Sequence, residues 1–429
     1  MAVILVVGVP TLLAASWVSA QHYAEAWRTP KWVSSETVLL AGSAMLALVC
    51  GACLGRGLVR RRPARAGAWP SISPVTEDVL RRAFPVLLWT AFAAYAVWAA
   101  TLLHRGITPA WLLESARTGG LYEADVRESL QGIAGVTTLT QVGVAAVAVG
   151  AILDTRRSSR RICRGLLLLV LIAAARSFLF SERLALIELL VPWVVVRTGA
   201  IVGGHRASRR RRRLVQLAPL LAMPLLLVGF AAFELSRSWS VYEPETRQSY
   251  SSFATDRLLG YYATSYNNGQ ALYDRYRWPE KLPYYSVEFF WSFPVVEAYL
   301  PFDEVTGGGS ANKTVLARFN NPEFNSPNGF LVPAVDFGPL GAAAFLVAVG
   351  AVCGASYESF RRSRPVGLLV YPVIFVGLLE LPRQLYWTTG RTFPVLVSLT
   401  LVLAAVGAAA RREAARATTS MRLAAVARG

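Results

Sequence analysis

Six arginines in this sequence stand apart from the basic clusters that hold most of the others. Arg117 and Arg127 lie in LLESARTGGLYEADVRES, Arg176 and Arg183 in AAARSFLFSERLALIELL, and Arg383 and Arg391 in LPRQLYWTTGR. A guanidinium is a planar fork of donors, and it meets a phosphate or pyrophosphate with two parallel, charge-assisted hydrogen bonds. The plainer alternative is pairing with nearby carboxylates. Glu114 and Glu123 lie within a helical turn before Arg117 and Arg127, and Glu188 is within reach of Arg183. Two further carboxylates, Asp336 in PAVDFGPLG and Glu380 beside Pro382-Arg383, sit at the ends of apolar runs. An aspartate in a first helical turn is often only a partner for the helix dipole. It can also act as a general base on a hydroxyl when its surroundings tune its acidity.

Other chemistries lack their signatures. There is no G-x-S-x-G, H-E-x-x-H or Walker-type glycine loop. His22, His104 and His205 are far apart, and no metal-ligand cluster forms. The four cysteines, Cys50, Cys53, Cys163 and Cys353, lie in apolar runs or at their basic ends. Disulfides are not expected, and Cys50-Gly-Ala-Cys53 reads as helix packing because no βαβ pattern surrounds it. Gly307 to Gly309 reads as a turn. No cofactor and no metal are expected.

The elements that must position these groups follow from hydropathy. Of 429 residues 54% are hydrophobic and only 16% charged, where soluble proteins carry about a quarter. Apolar segments fall at roughly 2–20, 37–55, 84–103, 132–153, 165–181, 184–203, 214–233, 334–357, 366–381 and 392–410. Most are long enough to cross a bilayer as helices. The first, ending WVSA, has no basic flank and is expected to be a retained helix, not a cleaved leader.

The net charge of +18 would suggest nucleic acid in a soluble protein. Here the arginines cluster between apolar runs, at Arg56 to Arg65, Arg156 to Arg164, Arg206 to Arg213, Arg361 to Arg364 and from Arg411. With the N-terminus inside, alternation puts every cluster on the cytoplasmic side. No basic face is interleaved with stacking aromatics, so nucleic acid is not an expected partner. The expected fold is therefore an all-α polytopic membrane protein of about ten transmembrane helices with both termini cytoplasmic. Residues 1–233 hold helices one to seven, 234–333 form a large extracytoplasmic cap, 334–410 hold the last three helices, and 411–429 are a basic tail. The cap contains eleven Asp or Glu and eight Lys or Arg and is rich in aromatics. Those aromatics suit either a sugar-binding surface or a belt at the bilayer interface.

The stretch Asn325, Asn328-Gly329 and then Asp336-Phe337-Gly338-Pro339-Leu340-Gly341 resembles a motif of bacterial oligosaccharide repeat-unit polymerases, the Wzy type of O-antigen and capsule pathways. YYATSYNNGQAL from Tyr261 and SERLALIELL from Ser181 are similar to two further segments of that family. The likeness spans residues 110–395 loosely. O-antigen ligases share the architecture but rely on a histidine in the large loop, and 234–333 has none. The short first external loop lacks the paired acids of dolichol-phosphate-sugar mannosyltransferases.

The resemblance implies a GT-C-like fold in the bacterial cytoplasmic membrane. It also implies metal-independent transfer, on the extracytoplasmic face, between two glycans on undecaprenyl pyrophosphate. The partners implied are the lipid-linked donor and acceptor, the bilayer, a chain-length regulator and a flippase. Under it Asp336, Arg176 and Arg183 are catalytic, while Arg117, Arg127, Arg383 and Arg391 bind substrate with Tyr266 and Asn328 as sugar contacts. The main rival is a transporter or flippase of lipid-linked sugars, in which the same arginines bind pyrophosphate in passing.

Overall fold

The computed structural model describes residues 3–61, 69–70, 72–108, 110–112, 114, 133, 135–156, 159–180, 184–203, 208, 210, 213–215, 228–231, 234–235, 239, 242–243, 248–276, 282–302 and 311–426. A π-turn at Ile4–Gly8 leads into α1 (Val9–Trp17) and α2 (Ala20–Glu25), followed by α3 (Ser35–Arg60) and α4 (Pro74–His104). Next come α5 (Val142–Arg156), α6 (Arg160–Phe180) and α7 (Leu184–Gly203). The middle of the chain holds α8 (Tyr250–Tyr276), the short α9 (Glu288–Trp291) and α10 (Pro294–Tyr299), and α11 (Ala311–Phe319). α12 (Val332–Arg361), α13 (Pro365–Glu380) and α14 (Phe393–Val426) complete it.

Among the described residues there is no strand, and six stretches are helical, long and apolar enough to cross a membrane. They are α3, α4, Thr137–Arg156, α7, α12 and Gly390–Ser420. This is the composition of a polytopic helical membrane protein. Of the other expected crossings, α1 and α13 are apolar but short. α6 occupies the fifth segment and carries Arg160, Arg161, Arg164 and Arg176. The seventh, 214–233, lies mostly outside the described residues.

α5 is the central helix. Its sequence VGVAAVAVGAILDTR has no polar stripe, and every residue from Val142 to Asp154 is buried. A helix apolar all round belongs in a core, and small residues let α4, α7, α13 and α14 close on it.

The tightest crossing joins α3 to α12, which run parallel. α3 carries Gly51 and Gly55, and α12 carries Gly350 and Gly354, two glycine pairs each spaced by four. A Cβ at Gly51 or Gly55 would collide with the backbone carbonyl of Val347 or Ala351, and one at Gly350 or Gly354 with that of Leu48 or Ala52. Facing small-residue stripes of this kind let membrane helices approach backbone to backbone. α12 is not continuous above this contact. Gly338 has φ 70° and ψ 173°, a left-handed conformation open to glycine. Pro339 then restarts the helix at a position where its missing N–H does no harm.

α8 is polar, yet most of it is buried between α1, α11 and α12. Its Asn267 accepts from the Trp32 N–H at 2.6 Å and donates to the Pro30 carbonyl at 2.8 Å. Asn268 donates to the Ser326 carbonyl at 3.2 Å, and the Thr37 hydroxyl donates to Gln270 at 2.9 Å. The helix therefore gathers segments far apart in sequence, its buried amides satisfied by backbone at Asn267 and Asn268 and by side chains at Gln270.

The α3–α12 contact makes a clean prediction. Gly55→Leu should cost about 3 kcal/mol, seen as a lower thermal unfolding midpoint in detergent. Gly57→Leu, on the same helix with open space around its Cα, should stay near wild type.

Candidate functional site

The arginines sort to two ends of the bundle. Arg56, Arg60, Arg361 and Arg362 meet at the C-terminal ends of α3 and α12, around Glu358. Arg156 lies 3.5 Å from Glu77 near the start of α4, and Arg197 pairs with Asp154 at the same end. Arg176, Arg383 and Arg391 occupy the opposite end.

At that opposite end, α7 buries Glu188, which is 1% exposed. Arg391 brings its Nε to 2.9 Å from Glu188 Oε1, and its Nη2 donates to Oε2 at 3.0 Å. The Tyr386 hydroxyl donates to Oε1 at 2.8 Å. Gln141, with its amide oriented to suit its neighbours, donates to Oε2 and accepts from Arg391 Nη2 at 3.2 Å. One residue earlier, Thr140 accepts from Arg176 Nη1 at 3.2 Å. The Tyr95 hydroxyl also contacts Arg176. Arg176 and Arg391 thus share one cluster, built from α4, α6, α7 and the crossover Leu381–Thr392. A buried carboxylate needs such partners, since removing one from a buried ion pair costs about 3–5 kcal/mol.

The crossover is held on its other flank. Arg383 Nη1 donates to Glu380 at 3.1 Å and Nη2 to the Ser326 hydroxyl at 3.3 Å. Asn328 Nδ2 donates to the Pro382 carbonyl at 2.6 Å, and the Gly329 N–H donates to the Leu381 carbonyl at 2.9 Å. The Asn328 side-chain oxygen accepts from the Phe330 N–H at 2.9 Å. Gly329 is required here: a Cβ would stand 2.7 Å from the carbonyl oxygens of Leu381 and Gln384.

Asp336 serves a different turn. Its Oδ1 accepts from the N–H groups of Tyr284 at 3.0 Å and Tyr285 at 3.4 Å, and its Oδ2 from Ser286 at 2.6 Å. It is 3% exposed. Three converging amides make it an anchor for the 284–286 turn and leave little room for a proton-accepting part. That turn reaches the crossover through Thr388, whose hydroxyl donates to the Tyr285 carbonyl at 2.6 Å.

The expected sugar contacts are interior. Tyr266 and Asn328 are fully buried. The Tyr266 hydroxyl donates to the Gly8 carbonyl at 3.2 Å, and burial raises its pKa well above the ordinary phenol value. Both work as struts, because a sugar cannot reach them without opening the packing. Arg117, Arg127 and Arg183 lie outside the described residues. The glutamate within reach of Arg183 in sequence, Glu188, is paired with Arg391.

Three groups escape sequence reasoning. Gln141 and Tyr386 carry a signal only as polar atoms in or beside apolar runs. Glu288 sits on α9, which packs on Gly390–Thr392, and partial burial pushes its carboxyl from 4.5 up to about 7. Beside it a cavity of about 330 Å³ is lined by Phe289, Trp387, Phe393, Leu396, Val397 and Leu401, with Thr400 its one polar side chain. It follows directly on Arg391, since Phe393 begins α14 two residues later.

Among the described residues no group of three or more His, Cys, Asp or Glu could hold a metal. No family profile, curated protein or solved structure matches the chain.

Two measurements test this geometry. Asp336→Ala strands three N–H groups, at about 1–3 kcal/mol for each buried donor. It should lower the unfolding midpoint and make the 282–300 segment the first site of proteolysis. Glu288 has a raised folded-state value, so its stabilising contribution is complete below pH 4.5 and lost as pH rises to about 7. The difference in unfolding midpoint between Glu288→Gln and wild type should be smallest below pH 4.5, widen in favour of the variant across that window and level off above it.

Proposed function

We propose that this protein is a membrane-embedded glycosyltransferase that polymerises oligosaccharide repeat units carried on undecaprenyl pyrophosphate. The observation that carries this reading is the meeting of cations and an apolar cavity on one crossover. Arg391 and Arg383 bracket Leu381–Thr392, and the cavity opens where that crossover becomes α14. A lipid-linked pyrophosphate has the matching form: an anionic head joined to an apolar chain. The reading takes about ten crossings and a GT-C-like organisation. It sets the arginine-rich end in the bacterial cytoplasm and the reacting end outside.

The reaction needs little covalent chemistry from the protein. An acceptor hydroxyl oxygen attacks the anomeric carbon of the donor glycan, and the bond from that carbon to the phosphate oxygen breaks. The electron pair leaves with the pyrophosphate, and the hydroxyl proton passes to a base. Preorganised guanidiniums stabilise the leaving charge, so the reading requires no metal. Arg176, Arg391 and Arg383 are held for that work by Thr140, Glu188 and Glu380. Arg117, Arg127 and Arg183 extend the set. With Asp336 committed to backbone, Glu288 is the carboxyl whose acidity near neutrality suits a base. Fixing both lipids beside one bundle makes the encounter effectively intramolecular. A flippase would supply the donor outside, and a chain-length regulator would act on the product.

Purified protein in detergent, given a lipid-linked repeat unit without nucleotide or metal, should build a ladder of longer lipid-linked glycans. Arg391→Lys keeps the charge that Glu188 needs but loses the fork, and should slow the ladder about 10- to 100-fold. Lipid scrambling in liposomes with no ladder would replace this reading with transport.

A further inference from the structure

The arginine-rich end holds a charge imbalance that the fold does not resolve. Glu358 is fully buried, and four guanidiniums converge on it. Arg56 Nε is 3.1 Å and Arg60 Nε 3.5 Å from Oε2. Arg362 Nε is 2.9 Å and Arg361 Nη2 3.4 Å from Oε1. Arg56, Arg60 and Arg361 alone set three cations against one carboxylate, so two positive charges are left over. Among the described residues Arg56, Arg60 and Arg361 pair with no acid other than Glu358. Arg56 and Arg60 reach Glu358 through Nε, so their outward Nη groups have no protein acceptor among the described residues. Arg60 and Arg361 are about half exposed, at 50% and 51%.

Carboxyl-end helix dipoles favour cations, but only by about 0.3–1 kcal/mol at an exposed site. They do not explain why four converge from two helices. Their address matters: α3 and α12 are membrane-spanning in length and composition, so their basic ends stand at headgroup depth. Tyr357 adds an aromatic face, with the Arg56 guanidinium 5.6 Å from its ring centre.

We propose that Arg56, Arg60 and Arg361 form a binding site for a phosphate group, with Glu358 as the internal strut that holds the forks apart and oriented and Arg362 bracing it through Glu358 and the Arg60 carbonyl. An anionic phospholipid headgroup and free phosphate share this chemistry. A phosphodiester accepts from the outward Nη groups of Arg56 and Arg60, with the half-exposed Arg361 beside them, and neutralises charge that Glu358 cannot. The site is independent of the reaction proposed at the other end. Its occupation would brace the α3–α12 pair where the glycine contact ends.

The test uses the full-length protein in detergent, with bound lipid counted by native mass spectrometry. Phosphatidylglycerol should bind in preference to phosphatidylcholine. Replacing both outer arginines, R60Q with R361Q, should weaken phosphatidylglycerol binding about 30-fold, roughly five- to sixfold per guanidinium. R411Q with R412Q, which removes equal charge from exposed positions on α14, should leave it unchanged. Inorganic phosphate that displaces the lipid and binds alone, in an R60Q/R361Q-sensitive way, would make free phosphate the ligand. Equal lipid binding by wild type and R60Q/R361Q, or equal loss in the R411Q/R412Q control, would overturn the site. Should the double variant not fold, R361Q alone, which leaves the Arg56 and Arg362 contacts intact, should still show about a fivefold loss.

Discussion

The backbone contact between α3 and α12 is the constraint on which the rest depends. Apolar side chains gain little by leaving lipid for one another, so helix association there rests on packing and satisfied polar groups. Two facing glycine pairs supply the packing, and the Glu358 cluster fastens one end of it. This fixes where α12 stands, and therefore where its kink at Gly338 falls. The short stretch Val332–Asp336 above the kink is buried, and its Asp336 holds the 284–286 turn. The 284–286 turn, α9 and the cavity wall are then positioned by a chain of contacts that starts at the glycines.

Polar groups do the joining at the opposite end. Asn328 and Gly329 clasp the crossover through its backbone, while Glu188 and Glu380 hold it through Arg391 and Arg383. Each contact satisfies a group that would be costly to bury alone. The same arrangement prepares a site, because a guanidinium already oriented by a carboxylate loses little freedom when it takes a second anion. Anchoring and recognition are therefore compatible in this cluster. Charge alone does not separate them.

Some of this was legible in the residues. Hydropathy located the long helices, and the sorting of arginines to two ends followed from their spacing. The partners of Asp336 and Arg391 were not legible. Tyr284 to Ser286 precede Asp336 by about fifty residues, and Glu188 precedes Arg391 by about two hundred. No periodicity reports a contact across such distances. Tyr266 misled for another reason: in YYATSYNNGQAL polar residues fill both faces of the helix. Nothing in that pattern marks which face is interior, and satisfied asparagines replaced the apolar stripe that normally does.

The same reasoning explains why aromatics in the middle of the chain are poor guides to a sugar surface here. Arg275 lies between Trp32 and Phe319, 4.1 Å from each ring centre, and Arg257 sits 4.6 Å from Phe324. Arg257 is also paired with Glu234 and Glu323. These rings spend their faces on the protein's own guanidiniums, where partial burial makes cation–π contact worth about 1–2 kcal/mol. A ring whose face is covered cannot stack on a sugar. The aromatics still turned outward are those of α9, α10 and their flanks: Phe289, Phe290, Phe293 and Tyr299. Phe289 lines the apolar cavity, and Phe289 and Phe293 both pack on Phe393, two residues past Arg391. Any amphiphile bound there would meet rings and cations together, and α8 would remain behind it as scaffold.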